Sequence, residues 1–114
     1  METEKLTVVS CSGASNTGKY SDVVARKLMQ SEQAKMLCLA RFSIDKQFAE
    51  KSISEISKLV VLDGCPINCA ELIMKQAGIT DFMHLNTTDF DIIKGVTPVT
   101  DEKINKIIDH INRL

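Results

Sequence analysis

The stretch Leu59-Val60-Val61-Leu62-Asp63-Gly64-Cys65-Pro66 constrains the fold more than any other part of the chain. Leu59 to Leu62 are apolar without a break and leave no face for water, as in strands buried on both sides. Such a strand needs helices above and below it, which is the situation of a parallel sheet in an α/β fold. The run then stops at Asp63-Gly64-Cys65, a polar turn that delivers a cysteine at the strand's carboxyl end.

The rest of the chain repeats that alternation. Leu6-Thr7-Val8-Val9-Ser10 is a short β-branched strand that ends at Cys11 and the loop Ser12 to Gly18. Tyr20, Val23, Val24 and Leu28 follow at helical spacing. Ala34 to Ala40 reads as a second strand. Ser43 is placed to cap a helix running to about Ser57, with Phe48, Ile53 and Ile56 inward. Pro66 suits the first position of a helix ending at Ala77, with Gly78 as its left-handed stop. Thr80 to Leu85 is a fourth strand, weaker in pattern than the third. Thr100 can cap a final helix, where Asp101 and Glu102 complement the dipole and Ile104, Ile107, Ile108 and Ile111 form one stripe. Residues 86–99 carry no readable period.

Right-handed βαβ units built from these pieces give a small doubly wound, flavodoxin- or Rossmann-like three-layer sandwich. Its sheet is mostly parallel and four-stranded, in the order 2-1-3-4. At 114 residues, the expectation is one domain over 1–114. With 14 basic and 15 acidic residues scattered along the chain, nothing marks a nucleic-acid partner or an anionic membrane surface. No apolar run is long enough for a signal peptide or a membrane span, so the expected location is cytoplasmic.

In a reducing compartment grouped cysteines point to metal or to redox chemistry rather than to structural disulfides. The chain has four: Cys11, Cys38, Cys65 and Cys69. In the order 2-1-3-4 the first and third strands are neighbours about 4.8 Å apart. Cys11 and Cys65 therefore emerge side by side at the carboxyl edge, where such sheets place their sites. With Cys65 as helix N-cap, Cys69 lies one turn on and on the same side. The positive helix end favours thiolate, which is both nucleophile and metal ligand. Cys38 falls within the expected second strand, where a buried core thiol is the plain alternative. It reaches the same edge only if that strand ends early. Neither pair of a zinc ribbon's Cys-x-x-Cys motifs is present.

Val61-Leu62-Asp63-Gly64-Cys65-Pro66 with Cys69, together with Cys11-Ser12-Gly13-Ala14-Ser15-Asn16 and Lys35-Met36-Leu37-Cys38-Leu39-Ala40, resembles the three cysteine segments of the DGC family. Members of that family are described as zinc-binding on the strength of their cysteine pattern, and no biological role comes with the description. The resemblance implies that all four cysteines act as one set around Zn2+, in a structural, sensing or carrier role. Four thiolates also suit an iron–sulfur cluster. The closed four-ligand site and the open three-ligand site both remain available, because Cys38 decides between them.

Two other chemistries compete. Cys65 and Cys69 could be an attacking and a resolving thiol of a thiol–disulfide protein, although their spacing is Cys-x3-Cys rather than Cys-x2-Cys. The loop Gly13 to Lys19 spells G-x-x-x-x-G-K, as phosphate-binding loops do, but Tyr20 stands where a hydroxyl should touch magnesium. A weaker version leaves anion binding to the loop's N–H groups, around Gly13, Ser15 and Asn16. Asp63 is expected to accept hydrogen bonds from loop N–H groups or to support the metal ligands. His84 reads as structural or surface. No acid–base pair or catalytic triad is visible, so no enzymatic activity is assigned.

Overall fold

The computed structural model describes residues 6–114. Its elements run β1 (Leu6–Ser10), α1 (Asn16–Gln30), β2 (Ala34–Met36), α2 (Leu39–Ile44), α3 (Lys46–Glu55), β3 (Lys58–Asp63), α4 (Cys69–Gln76), β4 (Met83–Asn86), a 3-10 turn at Thr87–Phe90 and α5 (Asp101–Asn112). All strand pairs are parallel, as the alternation of strands and helices predicts, and the order is β2-β1-β3-β4, as expected. No helix among the described residues is long and apolar enough to cross a membrane.

The unbroken apolar run of β3 serves two cores. Val60 and Leu62 point to one face, with Val8, Leu28, Ile107 and Ile111 under α1 and α5. Leu59 and Val61 point to the other, with Val9, Phe42, Ala49 and Met74 under α2, α3 and α4. Side chains of a strand alternate between faces, so only a run without polar residues can fill both layers. Each fully buried Leu or Val here is worth about 1.5–3 kcal/mol relative to exposure.

Four boundaries differ from expectation. The second strand stops at Met36, and its last ladder bond is Leu37 N–H to Val8 O at 3.1 Å. Leu39 and Phe42, three residues apart, both pack into the α2–α4 core, and this helical spacing overrides the strand pattern from Cys38 onward. Ser43 caps nothing: it sits inside α2, where its hydroxyl donates to Ala40 O at 2.6 Å. Asp45 caps α3 instead, accepting from Phe48 N–H at 2.9 Å. The helix expected from Pro66 opens three residues later, at Cys69, and the fourth strand opens at Met83 rather than Thr80. The last helix forms as predicted, with Thr100 accepting from Lys103 N–H and Ile104, Ile107 and Ile111 buried.

Candidate functional site

Cys11, Cys65 and Cys69 all stand at the carboxyl edge of the sheet. Cys11 directly follows β1 and extends its ladder, donating its N–H to Leu62 O of β3 at 2.9 Å. Its side chain packs against the α2–α4 core. Cys65 lies in the turn after β3, not at a helix cap. Its carbonyl accepts from Asn68 N–H at 3.2 Å and from Asn86 Nδ2 at 2.7 Å. Cys69 is the first residue of α4, behind Asn68 in the left-handed conformation at φ 59°. Gly64 allows the turn after β3 to pass close to the first turn of α1. A Cβ there would lie 2.5 Å from Thr17 O and 2.7 Å from the Gly18 backbone.

Asp63 is wholly buried and organises this turn. Asn68 makes no side-chain cap to α4. The Asp63 carboxylate does so from the strand end, with Oδ1 accepting from Ala70 N–H at 2.7 Å and Oδ2 from Glu71 N–H at 3.1 Å. Oδ2 also lies 2.8 Å from His84 Nε2, and His84 Nδ1 is 3.6 Å from Glu71 Oε2. The expected loop N–H partners of Asp63 are thus the free N–H groups of a helix. His84 and Glu71 were not foreseen at the site. The available signal was the alternation of β4: His84 and Asn86 share one face of that strand, opposite Val61 and Asp63.

The helix end that was to favour thiolates is therefore taken by a carboxylate. Cys11 is held protonated as well. Its thiol is pushed up from about 9 to about 11, first by burial, then by the charge of Asp63 and by Cys69 and Cys65, and last by a hydrogen bond with Cys69. Asp63, Cys69 and Cys65 thus all lie near enough to Cys11 for their charges to act on its thiol. Because β2 ends early, Cys38 lies at the same edge as the exposed N-cap residue of α2. It shares with Cys11 a cavity of about 320 Å3, into which Arg26 and Asp22 also face. All four cysteines are free. Among the described residues no three His, Cys, Asp or Glu side chains converge tightly enough to hold a metal ion as they stand.

The loop after β1 is stitched into the fold. Ser15 caps α1, its Oγ accepting from Gly18 N–H at 3.1 Å and pairing with Thr17 Oγ1 at 2.9 Å. Asn16 donates to Ile93 O at 3.0 Å and Thr97 O at 2.7 Å and accepts from Gly95 N–H at 2.7 Å. The side chains of Ser15 and Asn16 are thus engaged by protein groups, while Gly13 is exposed with open space beside it. Asn16, together with Tyr20, whose hydroxyl donates to Pro98 O at 2.5 Å, and Thr17, whose carbonyl accepts from Thr87 Oγ1 at 3.0 Å, holds the segment that carries no readable period in the sequence.

A family model described as the DGC domain matches residues 7–111. The anaerobic and virulence modulator AnvM of Pseudomonas aeruginosa is 25% identical over 87 residues, which are 76% of this chain. The match spans 66% of the length of that relative. No solved structure matches the chain.

Proposed function

The chain belongs to the DGC family, and on that premise we propose that its cysteines hold one zinc ion at the carboxyl edge of the sheet. Cys11, Cys65 and Cys69 form the core of the ligand set, and Cys38 is the fourth. The observation that carries this is their position at one sheet edge: Cys11 follows β1 and bonds Leu62 O of the neighbouring β3, Cys65 lies in the turn after β3, and Cys69 opens the helix that follows. Tetrahedral zinc needs its sulfur ligands roughly 4 Å apart, so binding would draw these side chains together. The donor set is all sulfur, which suits zinc and other thiophilic ions. Cys38 supports a closed site because it follows the end of β2 at that edge and faces the cavity that Cys11 lines. When bound, the ion supplies the positive charge that keeps crowded thiols as thiolates.

The chain's own residues do the positioning. Asp63 fixes the first turn of α4, and with it the place of Cys69. His84 holds the second carboxylate oxygen in place. Gly64 lets the β3 turn lie against the α1 entrance, which sets Cys65 beside Cys11. The ion would then tie together the ends of β1, β2 and β3 and the start of α4. Such a site is structural or sensing in character. A regulatory role agrees with the relative being named a modulator.

The test is elemental analysis with a thiol count before and after chelation, on protein purified anaerobically with added zinc. One zinc per chain, with thiols freed only on removal of the metal, is expected. Cys11→Ser and Cys69→Ser should lose the ion, and Cys38→Ser should weaken it. Visible charge-transfer absorption would assign an iron–sulfur cluster instead. Metal-free protein with a reversible Cys11–Cys69 or Cys65–Cys69 disulfide would overturn the metal assignment in favour of thiol redox chemistry.

A further inference from the structure

On the α3 side of β2 lies a cavity of about 450 Å3, within the range of small-molecule sites. It is separate from the cysteines: Thr7, in its floor, is four residues before Cys11 on the same face of the sheet, about 13 Å along the strand. The cavity follows from the shortness of β2. The core on that side takes its sheet residues from β1 and β3 and none from β2. Thr7 and Lys35, which are register partners across β1 and β2, are left facing the gap.

The lining has the chemistry of an anion site with an apolar wall. Thr7 is only 5% exposed, and its hydroxyl has no hydrogen-bond partner among the described residues. Thr7 is among the residues that line the cavity, so its side chain borders that space. Lys35 and Lys51 line it, and the ion pairs among the described residues include neither. Asp45 is already engaged by Phe48 N–H and by Arg41 Nε at 3.5 Å. The Arg41 guanidinium lies 4.2 Å over the Phe48 ring. Glu55 is then the one carboxylate of the lining without a partner among the described residues, against two such lysines. Leu37, Phe48 and Ile56 supply the apolar wall.

The geometry points to a binding site for a small organic anion. Its carboxylate or phosphate group lies between Lys35 and Lys51 within reach of the Thr7 hydroxyl, and its apolar body rests against Phe48 and Ile56. The site goes beyond the metal reading and does not depend on it. Isotope-labelled full-length chain titrated by NMR with phenyl phosphate, benzoate, benzamide and benzylamine tests the assignment. Saturable shifts at Thr7, Lys35, Phe48 and Ser52 are expected with phenyl phosphate or benzoate, and the stronger of the two identifies the anionic group. Benzamide and benzylamine should bind at least tenfold more weakly. Lys35→Glu and Lys51→Glu, both at exposed positions, should each weaken the anion by about tenfold or more while leaving the spectrum otherwise folded. Thr7→Val should weaken it severalfold. Equal binding of benzylamine and phenyl phosphate, no saturable shift at these amides up to about 10 mM, or full affinity in both lysine variants would overturn the site.

Discussion

Replacing Asp63 by Asn changes the shape of the side chain very little and tests its role directly. The carboxylate accepts from Ala70 N–H and Glu71 N–H and faces His84 Nε2. An amide retains one acceptor oxygen. If that oxygen stays on Ala70, the new NH2 group confronts Glu71 N–H, donor against donor. His84 can accept from the new NH2 group in the tautomer whose proton sits on the nitrogen facing Glu71. One charge-assisted bond is then lost outright, worth about 1.5–3 kcal/mol. The negative charge at the α4 entrance goes with it, worth about 0.3–1 kcal/mol. The expected loss is therefore about 2–4 kcal/mol, a large share of the roughly 5–15 kcal/mol available to a domain. Urea unfolding with an unchanged slope should report it, and hydrogen exchange should quicken first at Ala70 and Glu71. A loss below about 1 kcal/mol, or faster exchange spread evenly over the chain, would refute the assignment of Asp63 as the cap of α4.

Gly64→Ala should cost about 1–3 kcal/mol by overpacking, because its Cβ would lie 2.5 Å from Thr17 O and 2.7 Å from the Gly18 backbone. Thermal unfolding checks this, and an unchanged midpoint would show that the β3 turn does not meet the start of α1. Metal-free protein should lose stability as pH rises from about 9 to about 11. Folding raises the Cys11 thiol to about 11, so the unfolded chain releases that proton first and is favoured across the window. Cys11→Ala should flatten the profile there, as measured by denaturation at stepped pH; an unaltered slope would contradict it.

What could be read in the residues divides by the range of the interactions. Binary patterning is local, so the unbroken run Leu59 to Leu62 was enough to predict a strand buried on both faces, and the alternation with helices predicted a parallel sheet. Local capping was partly legible: Thr100 reads correctly, while Asp45 was passed over for Ser43. Cys11, Cys65 and Cys69 could be placed at one edge because each directly follows or closely trails a strand end. Three features could not be read in this way. The end of β2, and with it the exposure of Cys38, depends on Leu39 and Phe42 finding a core that other elements build. The start of α4 depends on a carboxylate seven residues before the N–H group it accepts. His84 joins the site only because β4 pairs with β3 in one register. Near-neighbour chemistry set the strands and the edge at which the thiols gather; packing and long-range hydrogen bonds, which no short window of sequence contains, decided which groups surround them there.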